Sequence, residues 1–327
     1  MNGFKKINLF IGKPNVGKSN ILEALSGFTI RFLNSSSQLT DLFRAEHPLE
    51  IFYSGNSTEP AKVKVVEGKK KLSYSLSYKS NGISNELNYS SAIGEKSTPS
   101  DFGTLGTFDM TFNSDFKWTS DGGSSEGNRF LFQIKRYIFQ RAISKGSYRT
   151  NYLFPPFGDN LMHVLEVHNE LRETFNDWFS HYDLRLVLDK ASSSIKIMKD
   201  NGKDVFILPY SSIADTLQRI IFYKTAIASN KDSVLIFEEP EAHAYPPYIA
   251  EFTQEVINSE TNQFFMATHS PIVVNDFLEN AIDDLAIFMV DFKDGQTKVK
   301  GLSREEIEDV YKYGIDLFFN GESYPVL

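Results

Sequence analysis

Two kinds of hydrophobic spacing divide the chain. Near both ends, compact apolar runs alternate with amphipathic stretches of helical period, whereas in the middle apolar and polar residues alternate one by one. Residues 7–11 form an apolar run that reads as a buried strand, and 20–25 read as a helix. The same rhythm returns from residue 210. It predicts a helix over 213–229, an apolar strand over 233–237, a helix over 247–259, and strands over 263–268 and 286–290. Strands separated by helices in this way imply a parallel sheet with helices against its faces. Between these ends, 63–66, 72–78 and 134–139 fit the period of a strand. The polar tract 34–37 reads as a loop, and 79–127, rich in Ser, Asn, Gly and Thr, predicts long loops or short hairpins. A helical stretch runs over 160–179, and 184–188 with 194–198 read as a strand pair around a turn. The pattern therefore predicts an α/β lobe assembled from residues 1–33 and 205–327. A mostly β insertion over 34–204, with a helical segment near 159–181, interrupts it.

Composition narrows the function classes. The net charge of −8 argues against general affinity for nucleic acid, although a local basic groove stays open. Cysteine is absent, which excludes disulfides, thiolate catalysis and cysteine-based zinc sites, and fits a reducing cytoplasm. No apolar run reaches the length of a membrane span, and the first strand starts too close to Met1 for a signal peptide to be expected.

Candidate chemistry clusters at the predicted strand ends. Gly12-Lys13-Pro14-Asn15-Val16-Gly17-Lys18-Ser19 fills every fixed position of the G-x-x-x-x-G-K-[ST] phosphate loop, between a strand and a helix that begins with Asn20. Its glycines let the backbone curl so that successive N–H groups point inward, and the helix adds its positive end. Lys18 is expected at the β- and γ-phosphates of a nucleoside triphosphate, with the Ser19 hydroxyl on Mg²⁺. The strand 233–237 runs into Glu238-Glu239, the pattern of a Walker B strand. Glu238 is expected to hold the Mg²⁺ through a water, and Glu239 to polarise the attacking water. The magnesium-side acid of such a strand is usually aspartate, so the longer Glu238 predicts sound nucleotide binding with slow turnover. His269, in Thr268-His269-Ser270-Pro271, repeats the placement of Glu239 at a strand end and is the candidate sensor of the γ-phosphate. The remaining histidines, at 47, 163, 168, 181 and 243, read as surface or satisfied core residues.

Phe237-Glu238-Glu239-Pro240-Glu241-Ala242-His243, together with Thr268-His269-Ser270-Pro271 and the 12–19 loop, resembles the ABC-type ATPases of the RecF, SMC and OLD group. The nearest look is that of the "AAA family" ATP-binding proteins of bacterial phage-defence systems. The resemblance implies an ABC-like P-loop NTPase lobe using ATP and Mg²⁺. It also implies a head-to-tail homodimer or higher homo-oligomer, in which each nucleotide lies between one subunit's loop and the other's signature segment. That segment corresponds to 210–216, where Ser211 or Ser212 is expected to cap the helix and face a trans γ-phosphate. Ile213-Ala214 stands where the family has a glycine. Gln38 is the candidate for the glutamine that couples the γ-phosphate and metal to the insertion. The partners implied are a separate effector or toxin protein, with DNA open and no membrane. A RecF-like repair ATPase would need a basic track, for which Lys69-Lys70-Lys71, Arg129, Lys135-Arg136 and Arg141 are candidates. An OLD-type nuclease would need an acidic cluster after His269, where the acids instead read as solvated faces.

Overall fold

The computed structural model describes residues 1–33, 38–80, 85–98, 101–123, 133–141 and 148–326; the 34–37 tract and Arg129 lie outside them. The chain opens with β1 (Ile7–Ile11) and α1 (Lys18–Ser26), then β2 (Ala61–Glu67), β3 (Lys70–Ser80), β4 (Asn85–Thr98), β5 (Asp101–Asn113), β6 (Trp118–Gly123) and β7 (Ile134–Tyr137). There follow α2 (Leu161–Val167), α3 (Asn169–Ser180), β8 (Leu184–Asp189), β9 (Ser194–Asp200), β10 (Val205–Pro209) and α4 (Asp215–Ser229). The last stretch holds β11 (Val234–Glu238), α5 (Pro246–Asn258), β12 (Gln263–Ala267), α6 (Pro271–Asn280), β13 (Leu285–Lys293), β14 (Gln296–Gly301) and α7 (Arg304–Tyr313).

Two compact units result: Met1–Ser19 with Tyr137–Leu327, and Asn20–Arg136. In the first, the strands are ordered β14-β13-β1-β12-β11. β1 pairs in parallel with both β12 and β13, β12 in parallel with β11, and β14 runs antiparallel to β13. This is the α/β architecture of a P-loop NTPase, with the phosphate-loop strand flanked on both sides and every one of its residues buried. Phe237 on β11 has no exposed surface and packs among Tyr223, Phe252 and Phe264.

The units divide at 19/20 and 136/137, not at 33/34 and 204/205. Leu161, Val164, Phe175 and Ile197 belong to the same buried cluster as Ile221, Leu235 and Met266, so the helical segment and β8–β10 share the core of the nucleotide lobe. Residues 184–188 and 194–198 alternate like strands of a separate sheet, yet Leu186, Ile195 and Ile197 turn into the common core. The single helix expected over 160–179 is two helices. The chain breaks at His168 (φ −99°, ψ 83°), whose Nε2 lies 2.6 Å from the Asn151 carbonyl and donates to it.

The second unit carries an antiparallel meander, β2-β3-β4-β5-β6. Its long β4 and β5 occupy most of the stretch expected to be loops or short hairpins. Serine and glycine there read as turn signals, but Thr, Tyr and Phe between them favour a pleated ladder with two partners. Tyr74 and Leu76 of β3, with Met110 and Phe112 of β5, form its buried face. Of the candidate basic track in this unit, Lys69 and Lys70 are exposed, but Lys135 and Arg136 leave it. Lys135 and Arg136 are buried, and the Arg136 guanidinium donates to the Leu42 carbonyl at 2.8 Å. These are structural cations on an inward-facing strand.

One polar residue anchors the phosphate-loop strand. Asn8 is fully buried; its Nδ2 donates to the carbonyls of Lys5 (2.7 Å) and Phe264 (2.9 Å), and its Oδ1 accepts from the Lys5 N–H (2.9 Å). Truncation leaves buried backbone groups unpaired, so Asn8→Ala is expected to lower unfolding free energy by about 2–3 kcal/mol. Urea titration checks this; a loss below about 0.5 kcal/mol would mean the bonds merely replace those made to water.

Candidate nucleotide site

The phosphate loop departs from β1 pressed against β13. A Cβ on Gly12 would lie 2.2 Å from the Val290 carbonyl oxygen, so only glycine fits. Lys13, Pro14 and Asn15 form the exposed tip, where Asn15 takes a left-handed turn (φ 61°). Lys13 pairs with Glu322 at 3.0 Å, a solvent-exposed contact that raises its pKa, chiefly through the hydrogen bond. Val16 is buried, and its carbonyl accepts from the Thr297 hydroxyl at 3.1 Å. Gly17 sits at φ +98°, a backbone conformation that favours glycine.

Lys18, the first residue of α1, folds back over this loop. Its Nζ donates to the Gly12 carbonyl at 2.7 Å and the Lys13 carbonyl at 2.8 Å, and the side chain is only 6% exposed. Burial lowers its pKa; the charges of Glu239 and Glu238 work in the opposite direction. Both predicted acids thus act electrostatically on the loop lysine. Ser19 is half-buried and Asn20 exposed on the same helix.

Parallel register brings the second cluster together. Glu238 closes β11 opposite Ala267 of β12. Glu239 then turns into the left-handed region (φ 44°), held by its N–H donating to the Ala267 carbonyl at 2.9 Å. Its Oε1 lies 3.5 Å from His269 Nε2, with both side chains partly exposed. An acid and an imidazole from neighbouring strand ends therefore face each other beside the loop. Ser19 and Glu238 offer a hydroxyl and a carboxylate, the hard oxygen donors that suit Mg²⁺.

Two further residues belong to the site, though neither carries a motif of its own. Glu241 is mostly buried, and its Oε1 accepts from Thr268 Oγ1 at 2.6 Å and from the His269 N–H at 3.0 Å. Burial raises its pKa, and those hydrogen bonds pull it down. The acid was visible in the Glu-Glu-Pro-Glu run, but its partner lies a strand away. Thr297 carried no local signal, since only the β13–β14 hairpin delivers it to Val16.

The serines expected to cap a helix do not. Ser211 and Ser212 are exposed in a short 3₁₀ turn, and α4 starts three residues later with Ala214 as its N-cap. Ile213 and Ala214 are extended (ψ 161° and 137°), which carries the chain past the serines before the helix begins. Its first-turn acid is Asp215, paired with Arg141 at 2.7 Å, so that arginine of the basic track is also engaged. Gln38 belongs to the second unit. Its N–H donates to Asp41 at 2.9 Å, its Oε1 accepts from the Thr40 hydroxyl at 3.3 Å, and it bridges to Lys117. Of the acids after His269, Asp283 and Glu308 both bind Arg304 (2.7 and 2.5 Å), and Glu306 caps α7 and pairs with Lys300 (2.8 Å).

Among solved structures, the chain is similar to an SMC head bound to the C-terminal winged-helix domain of ScpA (15% identity, 92% of this chain and 91% of that one, TM-score 0.46). It is likewise similar to the Pyrococcus furiosus SMC head with an extended coiled coil bound to the C-terminal domain of ScpA (13%, 94% and 93%, 0.47). A third is the SMC head domain from Thermotoga maritima (11%, 92% and 97%, 0.38). No curated protein sequence matches the chain. A family match runs over residues 7–275, from the phosphate-loop strand through Glu238-Glu239 and His269 into α6. With its P-loop, its acidic strand end and its histidine all inside that span, the chain belongs to the family described as "AAA domain, putative AbiEii toxin, Type IV TA system".

Proposed function

We propose that this protein binds and slowly hydrolyses ATP, dimerises around it, and serves as a nucleotide-gated sensor and scaffold in anti-phage defence, beside a separate effector or toxin protein. One observation carries the catalytic part: Glu239 and His269 meet at 3.5 Å on adjacent strand ends, next to a phosphate loop whose Lys18 feels both Glu238 and Glu239. Glu239 polarises the attacking water, His269 reads the γ-phosphate, and Lys18 with the loop N–H groups holds the phosphates. Ser19 and Glu238 would hold Mg²⁺, which when bound neutralises charge on the β- and γ-phosphates. Ser211 or Ser212 acting in trans, and Gln38, complete the proposed set. The exposed serine turn supports a second subunit's approach, because both serines lie at the surface. The defence role is supported by the toxin–antitoxin description of the family and by the resemblance to phage-defence ATPases. A chain without cysteine suits the cytoplasm.

Solution mass of wild type and Glu239→Gln, with and without Mg²⁺-ATP, tests this reading. A dimer that forms with ATP and persists in the variant is expected, because binding continues while hydrolysis stops. A monomer indifferent to ATP in both proteins would overturn the dimer.

A further inference from the structure

We propose that Glu241 is a positioning residue: it ties the turn after β11 to the end of β12 and thereby sets His269 against Glu239. The proposal rests on the ATPase reading of this site and adds a residue to it.

The turn itself is tight. Glu239 and His243 both have positive φ (44° and 59°), and the Ala242 N–H donates to the Glu239 carbonyl at 3.0 Å. This reversal drops the Glu241 side chain beneath the two strand ends. One oxygen, Oε1, then serves two donors on the neighbouring strand, the Thr268 hydroxyl (2.6 Å) and the His269 N–H (3.0 Å). Thr268 is fully buried, and having given its hydroxyl proton to Glu241 it accepts from the Ser270 N–H at 3.0 Å. Ser270 in turn is the N-cap of α6 and accepts from the Val273 N–H. Three consecutive residues around the histidine are thus located by one carboxylate.

Chemistry argues against Glu241 as mere filler. A buried carboxylate loses much hydration, and its Oε2 is buried with no hydrogen-bond partner among the described residues. A small apolar residue would fill the space at lower cost. What only an acceptor supplies is the fixed path of 268–270, and with it the direction of the imidazole. Glu241 does not touch the reacting atoms in this scheme; it acts through His269.

The test compares wild type, Glu241→Ala, Glu241→Gln and Thr268→Val, each also combined with His269→Ala. Mg²⁺-ATP affinity, steady-state turnover and amide hydrogen exchange over 266–272 are read for each. Glu241→Ala is expected to lower kcat about 10- to 100-fold with ATP affinity within about threefold. Glu241→Gln keeps the acceptor oxygen and should recover most of the rate, with Thr268→Val in between. In the His269→Ala background the Glu241→Ala loss should nearly vanish, because both changes remove the same placement. Full additivity with His269→Ala would overturn the proposal, as would equal losses in the alanine and glutamine variants. If wild type binds no Mg²⁺-ATP, the ATPase reading fails by itself. Exchange still judges Glu241 then: faster exchange at 268–270 in the alanine variant, with the glutamine variant like wild type, supports the tether, and unchanged exchange overturns it. Should Glu241→Ala not fold, Thr268→Val carries the same comparisons.

Discussion

Lys18→Ala is expected to abolish measurable ATP binding while leaving the fold intact. The ammonium makes two short bonds to the Gly12 and Lys13 carbonyls from a nearly buried position, so it already braces the loop it is meant to serve. Alanine removes that brace and the only buried cation beside the loop among the described residues. Charge-assisted hydrogen bonds contribute about 1.5–3 kcal/mol each, so losing two such bonds that Nζ is expected to make to the phosphates costs roughly 10²- to 10⁴-fold in Kd. Arginine should not rescue, because its planar fork cannot replace a compact ammonium inside so small a turn. Stability should fall modestly, because the bonds to the Gly12 and Lys13 carbonyls go with the side chain, while the strands and helices around the loop keep their packing. Calorimetric titration with Mg²⁺-ATP, paired with a thermal melt, separates the two effects. Binding within about threefold of wild type would remove Lys18 from the phosphate site.

Residues whose roles are written in local spacing are legible in the sequence. The strand–loop–helix of 7–25 needs only its own glycines and its apolar run, and Glu238, Glu239 and His269 each follow five or so apolar residues that must form a buried strand. Parallel pairing then places those strand ends together, which the topology reports as β1-β12-β11. Other features depend on partners remote in sequence. Within 79–127, Asn85–Thr98 and Asp101–Asn113 are strand because neighbouring strands pair with them, although the Ser and Gly content looks like loop. Residues 137–204 fall within the nucleotide lobe because Leu161, Val164 and Phe175 find their core there. Lys135 and Arg136 resemble a basic patch in a string of letters, yet both are buried. Ser211 and Ser212 have the chemistry of caps, but the backbone at Ile213-Ala214 decides where the helix begins. Glu241 and Thr297 act across strands, so nothing adjacent to them announces it.

Gly12→Ala and Gly17→Ala should both be severe, for different reasons that one second-site change can separate. At Gly12 the added Cβ meets backbone, the Val290 carbonyl oxygen at 2.2 Å, with Val16 Cγ2 at 3.2 Å behind it. That carbonyl belongs to β13, which is held by β1 on one side and β14 on the other, so it cannot retreat without loosening a ladder. Overpacking against such a wall is expected to lower unfolding free energy by about 3 kcal/mol and to displace the loop enough to abolish ATP binding. At Gly17 the added Cβ meets a side chain instead, Thr297 Oγ1 at 2.1 Å, and the backbone sits at φ +98°. Left-handed strain costs about 1–2 kcal/mol whatever the space, and the threonine adds the rest. Thr297→Ala removes Oγ1 and Cγ2 but leaves its Cβ at 3.1 Å, so it should return part of the Gly17→Ala loss and none of the Gly12→Ala loss. Urea unfolding of the single and double variants, followed by Mg²⁺-ATP titration, reads both. Equal rescue at the two positions would mean that the loop moves as one flexible segment, and that β13 does not wall it in. Rescue confined to Gly17, with ATP binding still lost in Gly12→Ala, would identify the β1–β13 contact as what holds the phosphate loop in shape.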